Sequence, residues 1–182
     1  MTQPAFRYAI QADVGPLVAL IEHAYRAPET AGRWDSESHL LTGPRTSQAE
    51  IEGLVADPYS RFLIAEIGGR LAGCCLIQKR GATECSDKAG TDGAYFGMFA
   101  IDTTVRSEGL GKTILAEAER RARELWKVNA MVMTVINVRT ELIAWYQRRG
   151  YLLTGARIPF PFSETSGETT RDFDLVEMRK EL

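Results

Sequence analysis

The sequence predicts a mixed α/β fold built on one sheet, and three observations carry that expectation. The chain has 182 residues with 45% hydrophobic and 25% charged side chains, the size and composition of one globular domain. Apolar runs rich in β-branched and aromatic residues recur, as in "RFLIAEIGGRLAGCCLIQ" (61–78), "AYFGMFAI" (94–101) and "AMVMTVI" (130–136). Between and before them stand segments whose apolar residues follow the helical period instead.

In chain order, "FRYAI" (6–10) reads as an opening strand, and Asp13 is placed to cap a helix. Val14, Leu17, Val18, Leu20, Ile21, Ala24 and Tyr25 gather on one face of that helix. Residues 27–46, broken by Pro28, Gly32, Gly43 and Pro44, form an irregular connection with a helical turn near Glu37–Leu41. A second helix runs from Ser47 to about Ala56. Gly68-Gly69 marks a tight hairpin inside 61–78, and the polar residues 80–92 read as a loop. Gly97 within 94–101 suggests a bulge or a close backbone approach. From Gly109 to Lys127 a helix places Leu110, Ile114, Leu115, Ala118, Ala122 and Leu125 on one face. A strand at 130–136 is followed by a helix at 138–149, closed by Gly150 with Arg148 and Arg149 in its last turn. Strands at 151–156 and 171–180 flank a long loop. With no internal repeat or linker, residues 1–182 read as a single domain.

A formal net charge of -2 argues against nucleic acid as a main partner. Cys74, Cys75 and Cys85 lack the spacing of a disulfide framework or a metal site. Adjacent residues on a strand point to opposite faces, so Cys74 and Cys75 read as small buried hydrophobes in a reducing compartment. The N-terminal residues lack a basic region followed by an apolar run, and no stretch is long and apolar enough to enter a membrane. The expectation is a cytoplasmic protein with no bound metal.

The stretch "RSEGLGKTIL" (106–115) carries the chemistry. Gly111-Lys112-Thr113 matches the tail of a nucleotide-triphosphate loop, but that loop needs glycine five residues before Gly111, where this chain has Arg106. The alternative is an anion cradle between strand 94–101 and the following helix. Unpaired N–H groups at the helix start point outward, the helix dipole adds positive character, and Gly109 and Gly111 admit a close pyrophosphate. Arg106 and Lys112 add full charges.

In Arg106-Ser107-Glu108-Gly109-Leu110-Gly111 the chain resembles the acetyl-CoA motif of GNAT-superfamily N-acetyltransferases, and "ELIAWYQRRGY" (141–151) resembles that family's later helix. The resemblance implies an α+β fold, with a mixed, mostly antiparallel central sheet flanked by helices. It implies that Phe99, Ala100 and Ile101 hydrogen-bond the pantetheine arm of acetyl-CoA in a gap between strands 94–101 and 130–136. Arg106, Ser107, Glu108, Gly109, Leu110, Gly111, Lys112 and Thr113 would surround the pyrophosphate. Tyr146 matches the tyrosine that protonates the departing thiolate, a reasonable role for a phenol beside a thiol leaving group. The acceptor amine would bind between 27–46 and 157–170. There Trp34 reads either as an aromatic wall for an amine or as a loop anchor. Asp35 and Glu37 would suit a cationic acceptor, and Phe160 and Phe162 read as an apolar lip or as loop packing.

The chain also departs from that pattern. Arg139 stands where many members have asparagine and is expected to face solvent or reach a CoA phosphate; nearby Asn137 could bond near the cofactor. No glutamate occupies the strand before the cradle, which leaves Glu108, Asp35, Glu37, Glu141 or a water chain as routes for the amine's proton. The function expected is acetyl transfer from acetyl-CoA to a primary amine of a small molecule or peptide. The alternatives are a non-catalytic acyl-CoA-binding module and a P-loop nucleotide-binding protein. Relatives commonly pair through sheet edges, so a homodimer through strand 171–180 is a further expectation.

A thermal-shift titration separates these ligands, since binding to the folded state raises the melting temperature. Acetyl-CoA and CoA are expected to raise it and ATP and GTP to leave it unchanged; a rise with the nucleotides alone would overturn the acetyl-CoA expectation.

Overall fold

A computed structural model describes residues 3–28, 37–41, 43–80, 93–105, 109–161 and 173–182. Gly68 and Gly69 both have positive φ, 60° and 74°. That is the backbone a two-residue hairpin requires, and it folds β2 (Ser60–Ile67) back on β3 (Arg70–Lys79). β1 (Ala5–Tyr8) adds antiparallel to β2, starting and stopping earlier than the apolar run suggested. Its end is set by Asp13, whose carboxylate accepts from both terminal nitrogens of Arg7 at 2.7 Å and from the Ile10 N–H at 2.8 Å. These bonds curl residues 11–13 into a 3-10 turn. They also correct the cap expected of Asp13: it stands at the N-cap of α1 (Val14–Arg26) but makes no side-chain bond to the helix. The α1 face is as the sequence predicts, with Val14, Leu17, Leu20, Ile21 and Tyr25 buried. Ser47 does cap α2 (Gln48–Ala56), accepting from the Glu50 N–H.

β4 (Ala94–Ile101) pairs antiparallel with β3. Cys74 faces Ala100 but Leu76 faces Gly97, so β4 carries one extra residue. The bulge falls at Met98, whose φ of 45° is unusual for a side chain with a Cβ. α3 (Leu110–Trp126) crosses back over the sheet to β5 (Ala130–Ile136), which runs parallel to β4. It rests closely on β3: a Cβ at Gly73 would lie 2.7 Å from Ile114 Cδ1 and 3.0 Å from the Ala100 carbonyl oxygen. Leu110, Ile114, Leu115, Ala118 and Ala122 are buried as expected. Leu125 is instead 40% exposed, while Trp126 of the same turn packs against the core.

α4 (Thr140–Gln147) is shorter than the predicted 138–149, because Asn137 ties the preceding turn to the sheet. Its backbone N–H donates to the Asp174 carbonyl and its Oδ1 accepts from the Asp174 N–H. Asn137 is therefore a strand fastener here. Gly150 closes the helix at φ 90°. β6 (Leu152–Pro159) and β7 (Asp174–Glu181) end the sheet, whose order is β1-β2-β3-β4-β5-β7-β6. β7 is paired on both sides, with β5 along Ala130–Ile136 and with β6, so it is not the open edge that the sequence suggested for dimerisation. Among the described residues the sheet edges are β1 and β6.

One core face joins α3 and α4 to Leu63, Cys75, Ile77, Phe96, Met131 and Met178. The other joins α1 and α2 to Phe62, Ile64, Cys74, Leu76 and Met98. Cys74 and Cys75 thus sit in opposite faces, both buried and free, and burial pushes both thiols up. Among the described residues no helix is long and apolar enough to cross a membrane.

Replacing Ile114 by alanine should cost about 2–5 kcal/mol, because the contact with Gly73 leaves little room for collapse. Urea unfolding monitored by circular dichroism measures the loss.

Candidate active site

β4 and β5 pair only at Ala94–Met131 and Tyr95–Val132. Beyond that point β4 has no strand on its β5 side, and a bond of 3.2 Å between the Tyr95 and Thr134 hydroxyls spans the strands where they part. The divergence opens two cavities. The smaller, about 290 Å³, is lined by Phe99, Ala100, Ile101, Gly109, Leu110, Gly111, Lys112, Trp145, Tyr146 and Arg149. The larger, about 440 Å³, runs between the 37–45 segment, β4, β5 and Phe160–Pro161. Tyr25, Phe99, Arg139, Leu142 and Tyr146 line both.

The smaller cavity brings together most of the predicted cofactor residues. Gly109 caps α3 with φ 80°, a conformation few other residues adopt without strain. A Cβ at Gly111 would meet Ile101 Cδ1 at 3.1 Å, Phe99 Cζ at 3.2 Å and Trp145 Cζ2 at 3.4 Å, so only glycine keeps this helix start against the cavity wall. The Thr113 N–H bonds the Gly109 carbonyl at 3.0 Å, leaving the N–H groups before it without a helical acceptor among the described residues. Thr113 Oγ1 also turns back to that carbonyl, at 3.2 Å, and Thr113 does not line the cavity. Arg106, Ser107 and Glu108 lie outside the described residues. Arg149, read from sequence only as a dipole partner, stacks on Trp145 with its guanidinium carbon 3.4 Å from the ring centroid.

Tyr146 projects from α4 to the junction of the cavities and is 4% exposed. Its ring is held edge-on by Trp145 at 5.0 Å and Tyr151 at 5.8 Å, with Phe96 at 6.4 Å. Tyr151 is itself fixed, donating to Glu119 Oε1 at 3.0 Å, while Lys180 donates to Glu119 Oε2 at 2.7 Å. The Tyr146 hydroxyl forms no hydrogen bond with the described residues. Burial raises its pKa far above the ordinary phenol value, so it is a proton carrier at neutral pH. Burial likewise pushes the Tyr25 hydroxyl up to about 12.

The larger cavity carries a charge arrangement the sequence did not suggest. Glu37 lines it, but its carboxylate accepts from Arg26 Nη1 at 3.0 Å and from Arg139 Nη1 at 2.8 Å. The three side chains are 10%, 12% and 7% exposed. Arg139 is therefore not solvent-facing; it clamps the 37–41 segment to the start of α4. Trp34, Asp35 and Phe162 lie outside the described residues, while Phe160 packs on Phe173 at 4.9 Å and lines the cavity. Glu141 is exposed on α4. Sequence reading passed over Tyr25, Arg45 and Arg149. Tyr25 looks like one more core residue of α1, and the two arginines stand in a loop and a helix end, where arginine is common.

Replacing Glu37 by alanine leaves two buried guanidinium groups facing each other and should cost about 3–5 kcal/mol. Urea unfolding of the variant beside the parent measures it, and a loss within experimental error would mean the clamp is not structural.

Comparison with known proteins agrees with this geometry. The model of the acetyltransferase (GNAT) family matches residues 23–151. No curated protein matches the sequence. Among solved structures, a ribosomal-protein-alanine N-acetyltransferase from Brucella melitensis is 19% identical, with 98% of this chain and 99% of that one covered and a TM-score of 0.69. The yncA protein of Salmonella typhimurium, solved with its cofactor acetyl-CoA, is also 19% identical, with coverages of 100% and 95% and a TM-score of 0.66. A spermidine N-acetyltransferase chimera from Vibrio cholerae and hSSAT is 16% identical, with coverages of 99% and 96% and a TM-score of 0.67. The split between β4 and β5, the glycine-lined start of α3 and the family match lead to one conclusion: the chain belongs to the GNAT acetyltransferase family.

Proposed function

We propose that the protein transfers the acetyl group of acetyl-CoA to a primary amine by direct attack within a ternary complex. The observation that carries this reading is the position of Tyr146 at the junction of the groove beside the start of α3 and a second cavity. The backbone of Phe99–Ile101 would hold the pantetheine amides along the side of β4 that β5 leaves open. The free N–H groups at the start of α3, with Lys112 beside them, would hold the pyrophosphate. Arg149 and Trp145 wall the same groove.

In this reading the acceptor occupies the larger cavity. Its neutral nitrogen attacks the thioester carbonyl carbon, the C–S bond breaks, and the Tyr146 hydroxyl gives its proton to the sulfur. Glu37 is not offered to the amine, because its charge is already balanced by Arg26 and Arg139. The proton shed by the amine would leave through water in the cavity. The acceptors named for the structural neighbours, a ribosomal-protein alanine and spermidine, differ in chemistry, so the acceptor must be read from this cavity.

Tyr146→Phe is expected to lower kcat by about 100-fold or more, as loss of a general acid does. The melting-temperature rise with acetyl-CoA should survive. Unchanged turnover would remove Tyr146 from the chemistry, and absence of turnover in the parent with acetyl-CoA binding intact would favour a binding module.

A further inference from the structure

The larger cavity is lined by three guanidinium groups, from Arg26, Arg45 and Arg139, and, among the described residues, by two carboxylates, from Glu37 and Glu50. Glu37 accepts one bond from each of Arg26 and Arg139, and Arg26 also donates from Nε to the Gly43 carbonyl at 2.7 Å. Arg45 is different. Its half-buried guanidinium forms no ion pair or hydrogen bond with the described residues and lies over the Tyr25 ring, 5.1 Å from the centroid. Glu50 is exposed at the rim, and its Oε2 is engaged by the Thr46 hydroxyl at 2.7 Å.

The backbone beneath Arg45 is fixed rather than loose. The N–H groups of Arg45 and Thr46 both donate to Glu22 Oε1 on α1, at 2.6 and 2.7 Å. A half-buried guanidinium with no oxygen partner is costly unless something completes its hydrogen bonds. Its planar fork fits a carboxylate or phosphonate on two donors at once. A diamine or polyamine would meet a net positive charge from the described lining residues, and a simple alkylamine would leave the fork unfilled.

Resting on the acetyltransferase reading above, we propose that the acceptor is a small amine that also bears an oxyanion, held by Arg45 while its nitrogen faces Tyr146. The class is that of amino acids and aminoalkylphosphonates, and the 440 Å³ cavity is of a size that takes such a molecule.

The test is a turnover screen with acetyl-CoA over amino acids, their decarboxylated amines, the matching aminoalkylphosphonates and diamines. Binding of each to the CoA-loaded protein is measured by calorimetry. At least one anion-bearing amine should exceed its decarboxylated partner in kcat/KM by about tenfold or more, and Arg45→Met should cut that advantage by about 10- to 100-fold, mainly through KM. Arg45→Lys, which keeps the charge without the fork, should recover part of it. The carboxylate and phosphonate arms identify which oxyanion is preferred. A preference for diamines or plain amines, an Arg45→Met loss shared equally by acids and amines, or no binding of any anion-bearing amine overturns the inference. In each case retained acetyl-CoA binding by the same protein leaves the cofactor assignment standing, whereas its absence sinks the acetyltransferase reading itself.

Discussion

Two pairs of residues hold β4 and β5 together, and then the strands part. The rest of the molecule is organised by that divergence. A parallel strand pair that separates inside a sheet would expose backbone donors and acceptors, which is costly unless a partner supplies the missing bonds. The bulge at Met98 turns β4 at the same level, so that the open backbone of Phe99–Ile101 runs toward the start of α3. β7 is inserted between β5 and β6, and this gives β5 a full antiparallel partner on its far side. The sheet can therefore be split in its middle while β4 and β5 each keep an antiparallel partner on the side away from the split.

The helices are placed to exploit the split. α3 brings an unsatisfied helix start to one end of the gap, and two glycines remove the side chains that would keep it away. α4 brings a tyrosine to the other end, set within a cluster of aromatic rings whose outer member is pinned by Glu119 and Lys180. A hydroxyl in such a setting keeps its proton at neutral pH.

Much of this was legible in the sequence, for physical reasons. The hairpin was written in Gly68-Gly69, the buried face of α1 in its helical period, and the start of α3 in Gly109-Leu110-Gly111. Cys74 and Cys75 on opposite faces follow from strand geometry alone. Strand pairing was less legible. The sequence shows that 171–180 is a strand but not that β5 and β6 both claim it, because pairing order is a long-range property with no local signal. Asp13 looked like a cap, yet a cap carboxylate and a carboxylate for Arg7 are the same residue in one dimension. The larger cavity was least legible. Arg26, Glu37, Arg45 and Arg139 are ordinary charged residues in a helix end, a loop and a turn, and only folding brings them to one cavity.

The bond between Glu37 and Arg139 joins positions 102 residues apart. The larger cavity is thus not a local motif that a short segment could carry with it. Its walls come from the α1 end, the 37–45 segment, β4, β5 and the start of α4, and they meet only when the chain has closed a long loop. The smaller cavity is more local, drawn among the described residues largely from 99–101, 109–112 and 139–149 with two residues of α1. Exchange of segments between relatives would carry the first half of the site as a nearly self-contained cassette. The second half would have to be rebuilt from several places at once, so the two cavities can drift independently within one architecture.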